Sequence, residues 1–284
     1  MNATLDRAPD LLSVRRRLCS SNLWVFVVTY WVRFRHQDAT GFGTISQCEI
    51  SVHDGEMFGE SWANGRLLAL GDVALLAPSE PSKIIALWNN CHALAAKLNV
   101  REPDEPLYLL KAPTTAAAPN AVVKRPPSYD GKVVYEGELA IVIGRTCSGV
   151  SIDEANAFIH GYTCVNDITA AGVISKDTTF AQWARAKGYD GFCPFGPVIA
   201  SGIDPAKLVV RTILNGEERQ SYPISDMIFS AQQLVSRISH DMTLLPGDLI
   251  CCGTSLGVGS MKDPVNKVTV AIDGIGKLTN EFRQ

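Results

Sequence analysis

Three acidic residues fall where a metal ion would need them. In Tyr135-Glu136-Gly137-Glu138-Leu139-Ala140-Ile141-Val142-Ile143-Gly144, a strand places residues i and i+2 on one face, so Glu136 and Glu138 point the same way. The run that follows is apolar on both faces, so the strand enters a core. Two carboxylates converging at its mouth repel each other unless a proton or a cation lies between them. A third acid, Asp167, ends another apolar stretch at Val165-Asn166-Asp167. Three oxygen donors with room for water suit Mg2+ or Mn2+, and the lack of a nearby His or Cys argues against zinc. On spacing alone, three solvated acids at strand ends remain the alternative.

Other patterns carry less. Gly253-Thr254-Ser255-Leu256-Gly257 matches the G-x-S-x-G nucleophile elbow, which requires a helix after the serine and a histidine later in the chain. Val258-Gly259-Ser260-Met261-Lys262-Asp263-Pro264 is a poor helix, and the last histidine is His240, so serine-hydrolase chemistry is set aside. The glycines there suit a loop whose backbone N–H groups can face an anion, or an ordinary turn. No G-x-G-x-x-G follows a strand and no Walker A sequence occurs, which removes support for nucleotide chemistry.

These residues must be positioned by a chain of 284 residues, 46% hydrophobic and 19% charged, the profile of a folded domain that needs no disulfide or metal merely to fold. A net charge of −3 and the absence of a basic face argue against a nucleic-acid partner. The eight cysteines include no C-x-x-C pair, and several sit inside apolar runs. They read as buried free thiols in a reducing cytoplasm. Arg15-Arg16-Arg17 before Leu23-Trp24-Val25-Phe26-Val27-Val28 imitates a signal peptide. However, no small-x-small site follows, and the apolar run falls short of the roughly 20 residues that span a bilayer. The expectation is a cytoplasmic protein without a membrane partner.

Residues 1–21 read as a loose extension leading into a strand, and residues 22–78 as a small β-rich N-terminal domain. In that domain Trp31–Arg35 alternates, Gly41–Gly43 breaks the strand and Glu49–Val52 resumes it. Residues 79–284 form the larger unit. There Ile84–Trp88 is a buried strand and Ala93–Leu98 is helical, while residues 101–106, with two prolines and four charges, form an exposed, mobile loop. Ser151-Ile152-Asp153-Glu154 is a capping box opening a helix that Gly161 closes, and Ser230 caps a helix running to about Asp241. Strands are expected at Gly137–Ile143, Tyr162–Asn166, Val198–Ala200, Val209–Leu214, Leu249–Cys252 and Lys267–Ile272. They outnumber the helices without sustained βα alternation, which predicts a β-rich α+β fold.

Four motifs then occur in order: Tyr135-Glu136-Gly137-Glu138-Leu139 with Val142-Ile143-Gly144, Gly161-Tyr162-Thr163 through Asn166-Asp167-Ile168-Thr169-Ala170, Arg185-Ala186-Lys187-Gly188, and Gly253-Thr254-Ser255 with Gly257-Val258-Gly259. From residue 80 to the end the chain resembles the fumarylacetoacetate hydrolase family. The resemblance implies a mixed β-sandwich roll over residues 79–284, with a lid at about 89–106, in a homodimer. It implies one Mg2+ or Mn2+ per chain on Glu136, Glu138 and Asp167, and an active-site lysine at Lys187. Lys111 would stand near the pocket, and Gly253 and Thr254 at the carboxylate of a small 2-oxo or enol dicarboxylic acid.

The leading expectation is hydrolysis of a C–C bond in an acylpyruvate-type 2,4-dioxo acid, such as maleylpyruvate or fumarylpyruvate, in aromatic-compound catabolism, through a metal-stabilised enolate. The alternatives are an isomerase/decarboxylase of the 2-hydroxyhepta-2,4-diene-1,7-dioate type, and a non-catalytic relative that only binds metal and ligand. One departure bears on this choice. His92 looks like the histidine with which hydrolytic members activate water, but the position three residues later, where they carry glutamate, is Ala95. Glu102, Asp104 or Glu105 is left to supply the acid when the lid closes.

Overall fold

The strand Gly137–Ile143 is buried along its whole length, and its two faces belong to different cores. Leu139, Ile141 and Ile143 join the main core with Val210, Val270, Ile272 and Leu278. Ala140 and Val142 join a second cluster with Val165, Phe195 and Leu249. A strand covered on both sides reads as a continuous apolar run rather than an alternation, which is the pattern its sequence shows. The computed structural model of the chain describes residues 28–284. The expected extension over residues 1–21, and the beginning of the strand expected after it, lie outside the described residues.

The fold is β-rich α+β, built from a 12-stranded, a five-stranded and a three-stranded sheet. In the largest, the strand order runs Ser61–Ala69, Glu49–Gly55, Ala39–Ser46, Thr29–His36, Cys193–Ser201, Ile159–Asn166, Gly137–Ile143, Leu249–Cys251, Ile84–Trp88, Leu107–Lys111. The four N-terminal strands thus extend the sheet of the larger unit, through the pairs Thr29–Ser201, Tyr30–Ala200 and Trp31–Ile199. The five-stranded sheet, with Val209–Leu214 and Val265–Ile272 at its centre, closes the main core from the other side. The helix Ala231–Asp241 carries the expected cap in full: Ser230 accepts from Gln233 N, and the Gln233 side chain accepts from Ser230 N.

Two glycine expectations are corrected. The break between the first two strands is at Gln37–Asp38, and Gly41 and Gly43 lie inside the strand Ala39–Ser46. A Cβ on Gly43 would sit 2.1 Å from the Ser51 carbonyl oxygen, so this glycine permits a close strand approach rather than a turn. The helix opened by the Ser151–Glu154 capping box ends at Ala155 and passes through the short turn Asn156–Phe158. Gly161 is inside the strand Ile159–Asn166, where a Cβ would meet the Ala200 carbonyl oxygen at 2.4 Å. Of the cysteines described, Cys48 is exposed and Cys91, Cys147, Cys164, Cys193, Cys251 and Cys252 are buried and free. Among the described residues no helix is long and apolar enough to cross a membrane.

Where the N-terminal strands join the sheet, His160 packs against Trp31 and Phe58, with ring centroids 5.5 and 5.0 Å away. Its Nε2 is buried without a partner. Burial pushes the imidazole down from 6.5 to about 4, so the folded protein holds it neutral while the unfolded chain takes up a proton below 6.5. The stability it contributes is therefore complete above pH 6.5 and is lost as pH falls towards 4. His160→Leu is expected to lessen the acid-induced loss of unfolding free energy across this window by up to about 3 kcal/mol, read from urea midpoints at pH 7 and pH 4.5. An identical acid dependence in the variant would show that His160 does not drive it.

Candidate active site

The antiparallel register pairs Gly137 with Asn166 and Glu138 with Val165. Asp167, one residue beyond its strand, therefore arrives beside Glu136. Two hydrogen bonds fix the crossing: Asp167 N donates to Glu136 O at 2.8 Å, and Glu136 N donates to Asn166 Oδ1 at 3.0 Å. As a result one carboxylate oxygen each from Glu136, Glu138 and Asp167 lie within 4.8 Å of one another. Glu138 and Asp167 are buried and Glu136 is partly so.

Two lysines answer this charge. Lys187, from the short helix Trp183–Lys187, donates to Asp167 Oδ2 at 2.6 Å, Glu136 Oε2 at 2.9 Å and Thr169 Oγ1 at 2.7 Å. Lys111, at the end of the edge strand Leu107–Lys111, donates to Asp167 Oδ1 and to Phe192 O, the latter at 2.8 Å. Burial alone would drive Lys187 towards its neutral form. The charges of Asp167, Glu136 and Glu138 outweigh it and raise its pKa. Burial would likewise raise Asp167, but Lys111 and Lys187 hold its carboxyl below the usual range. Glu138 goes the other way: burial, then Asp167 and Glu136, push it well up.

Glu138 also has an oxygen to spare. Its Oε2 accepts from Gly253 N at 2.9 Å, while its Oε1 is buried with no hydrogen-bond partner. A buried carboxylate oxygen left unpaired is costly unless a cation or proton takes it up. With all five groups ionised, the cluster carries one negative charge in excess. Hard oxygen donors, an orphaned oxygen and excess negative charge fit a divalent cation of the Mg2+ or Mn2+ type.

The loop Gly253–Gly257 is tied to the same strand. Thr254 Oγ1 donates to Gly137 O at 3.1 Å and accepts from Gln220 Nε2 at 2.9 Å, and Gln220 Oε1 accepts from Gly137 N at 3.0 Å. Gly253 and Thr254 thus stand beside the carboxylates, with their donors engaged inside the protein. No helix follows Ser255, in keeping with the exclusion of a nucleophile elbow. The sequence reading missed Gln220 and Thr169. Both carried a signal, since Gln220 shares the buried face of its strand with Tyr222 and Thr169 follows Asp167 at i+2. Thr169 Oγ1 joins the network by donating to Glu136 Oε1 at 2.8 Å.

His92 begins the helix His92–Leu98, separated by three residues from the strand Ile84–Trp88. Its Nδ1 lies 2.6 Å from Glu102 Oε1, and both side chains are about half exposed, at 49% and 50%. Of the three candidate acids Glu102 is the one beside the imidazole, while Asp104 pairs with Arg101 at 2.5 Å. The segment is closed across its base by Asn89 Nδ2, which donates to Arg101 O at 2.9 Å.

Residues 83–283 match the family model for the fumarylacetoacetate (FAA) hydrolase C-terminal domain, and residues 31–78 match the Rv2993c-like N-terminal model. The chain is 43% identical over 235 residues to protein Rv2993c of Mycobacterium tuberculosis, covering 82% of this chain and 86% of that one. It is 38% identical over 229 residues to oxaloacetate tautomerase YisK of Bacillus subtilis, covering 76% and 75%. Among solved structures, the 2-hydroxyhepta-2,4-diene-1,7-dioate isomerase of Mycobacterium marinum superposes with a TM-score of 0.82 at 38% identity, covering 90% of this chain and 98% of that one.

The electrostatics predict opposite signs for two neutral isosteres. Glu138→Gln removes a buried charge pressed by two like charges, so metal-free protein should melt at a higher temperature while losing most of the further rise that Mg2+ or Mn2+ brings. Asp167→Asn leaves the buried Lys111 without a carboxylate partner and Lys187 with Glu136 alone, and should destabilise the fold by about 3–5 kcal/mol. Melting curves with and without Mn2+ test both. Glu138→Gln stabilised by Mn2+ as strongly as the parent protein would rule out this cluster as the metal site.

Proposed function

The chain belongs to the fumarylacetoacetate hydrolase family, and from that premise we propose that it is a divalent-metal-dependent enzyme that moves a proton on a small 2-oxo dicarboxylic acid, interconverting its keto and enol forms. The observation that carries this reading is the buried cluster in which Lys187 joins Glu136 and Asp167 while Glu138 keeps one oxygen unpaired. Glu136, Glu138 and Asp167 would hold the cation, taken as Mg2+ or Mn2+ from the donor set. When bound, the cation supplies a Lewis acid for the 2-oxygen and the adjoining carboxylate of the substrate.

The chain's own residues supply the rest. The Lys187 ammonium, held protonated by its carboxylate neighbours, keeps positive charge where the 2-oxygen becomes negative as the C3 proton leaves. Lys111 balances Asp167 from the opposite side, so Asp167 need not give up its place to either lysine. Glu102 accepts the Nδ1 proton of His92, which leaves Nε2 as the base that takes the C3 proton. The imidazolium then gives a proton up as the 2-oxygen takes one to complete the enol, and the reverse reaction runs the same two transfers backwards. Gly253 and Thr254, beside Glu138, are assigned to the substrate carboxylate, and for that role the Thr254 hydroxyl turns away from Gly137 O.

The names of two relatives favour this over cleavage, since a tautomerase and an isomerase both relocate a proton without hydrolysing a C–C bond. Hydrolysis of an acylpyruvate remains the second reading, on one specific observation. Glu102 stands where position 95 lacks an acid, and the same His92 Nε2 could deprotonate a water at the distal carbonyl. A buried site on a family of enzymes acting on small organic acids, with six unpaired buried thiols, supports a place in a reducing cytoplasm.

The test is enol absorbance of oxaloacetate, followed with Mn2+-loaded protein, beside an acylpyruvate assayed for released pyruvate. Catalysed approach to the keto–enol equilibrium, with acylpyruvate left intact, is the expected result. Stoichiometric pyruvate from the acylpyruvate would establish hydrolysis instead, and no effect on either substrate would overturn both readings. Lys187→Met should lower kcat by about 10²–10³. His92→Gln should lower it by at least about 10², and Glu102→Gln by less, since it disturbs only the tautomer and aim of the imidazole.

A further inference from the structure

The segment that carries His92 is held to the substrate loop by one side chain outside the cluster. Asp226 accepts from Ala93 N, 3.3 Å from each of its oxygens, and its Oδ2 also accepts from Ser255 Oγ at 3.2 Å. Ala93 is the residue after His92. Ser255 follows Thr254, two residues beyond Gly253, whose N–H is bonded to Glu138. Asp226 therefore stands between the glycine loop on the metal side and the first turn of the lid.

The surrounding contacts give it leverage. Cys91 and Met227 form an antiparallel bridge, Ile228 N donates to Asn90 O at 3.0 Å, and Phe229 N donates to Asn90 Oδ1 at 2.9 Å. The root of the lid thus runs alongside residues 226–229 in fixed register. Asn90 is buried and donates to Cys252 O at 2.8 Å, which anchors the root of the lid. At the far end, Arg237 Nη1 reaches Asp104 O at 3.1 Å. Between these two tethers the lid depends on the Asn89–Arg101 and His92–Glu102 bonds, both internal to it.

We infer that Asp226 is a positioning residue, a latch that fixes the lid against the Ser255 loop and so sets the aim of His92 over the substrate. The inference rests on the proposed function only in that the lid carries the proton-transfer pair. A carboxylate suits the task because it accepts from a backbone N–H and a hydroxyl at once, which an aliphatic side chain cannot do. Loss of the latch lets the His92 helix swing about the Asn90 anchor, while the carboxylate cluster stays on its strands. The predicted signature is a fall in kcat with metal affinity unchanged, accompanied by exposure of the lid loop.

Limited trypsin cleavage after Arg101, whose side chain is 80% exposed, reads lid opening in the Mn2+-loaded full chain. Cleavage after Lys207, 82% exposed and far along the chain, controls for general loosening. Asp226→Ala should speed cleavage after Arg101 about tenfold or more without changing the rate at Lys207, as expected when a local opening loses bonds to a charged acceptor. Its kcat should fall about tenfold, with Mn2+ affinity within about twofold of the parent. Ser255→Ala, a milder change that removes half the latch, should give a smaller effect in the same direction, and the double variant should be no worse than Asp226→Ala. Parental cleavage after Arg101 in both single variants, or effects that multiply in the double variant, would overturn the latch. If the enzyme reading fails because no 2-oxo acid is turned over, the cleavage arm still decides this inference alone.

Discussion

The arrangement depends on bringing three carboxylates together out of water. With one oxygen from each within 4.8 Å of the others, each like-charged pair costs at least about 3 kcal/mol at an effective dielectric near 20. A flexible chain would relieve that repulsion by letting one acid turn to solvent. Here Glu138 is buried on a strand and Asp167 is buried just beyond the end of its partner, held by its bond to Glu136 O, so relief comes from charge. Two lysine ammonium groups compensate in part, and the remaining excess and the unpaired Glu138 oxygen call for a cation. Burial and repulsion raise Glu138 while lysines depress Asp167: two carboxylates a few ångströms apart are set apart by their neighbours.

That demand explains why the site lies where it does. The strand carrying Glu138 is covered on both faces, so its start is among the least yielding parts of the chain. The partners converge from separate parts of the fold: Asp167 from the paired strand, Lys111 from the edge strand, Lys187 from a short helix, and Gly253 and Thr254 from a loop. Gln220 links two of these by bonding both Gly137 N and Thr254 Oγ1. The carboxylate cluster and the loop thus share one piece of backbone, at Gly137.

The features legible in the sequence are those whose geometry is local. Glu138 lies on the expected strand, but Glu136 does not: it sits in the break between Val133–Tyr135 and Gly137–Ile143, which belong to different sheets. Its bonds to Asn166 and Asp167, rather than strand alternation, bring it to Glu138. The caps at Ser151 and Ser230 follow from a hydroxyl residue ahead of a helical run. Asp167 is legible as an acid ending an apolar run, although only pairing of the two strands brings it to the others. The glycines mislead because one residue type serves two purposes: Gly43 and Gly161 permit close backbone approach, while the sequence alone suggests a break or a cap. Glu102 could not be chosen over Asp104 or Glu105, since the choice depends on how the loop closes through Asn89 and Arg101. Asp226 was invisible for a similar reason, its partners Ala93 and Ser255 being distant along the chain.

The division between a stiff cluster and a tethered covering segment bears on how relatives of one family come to carry different reaction names. An enolate is common to tautomerisation, isomerisation, decarboxylation and C–C hydrolysis, so stabilising it does not select among them. Selection lies in where a proton is taken and delivered, and whether a water is admitted, which are properties of the covering segment. In this chain the imidazole and its carboxylate are ten residues apart, on a helix and on the loop after it, rather than one turn apart on a single helix. A pair on one helix is formed whether the lid is open or shut. A pair split between helix and loop is complete only when both are folded together, so under the proposed function proton transfer would be coupled to the folding of this segment.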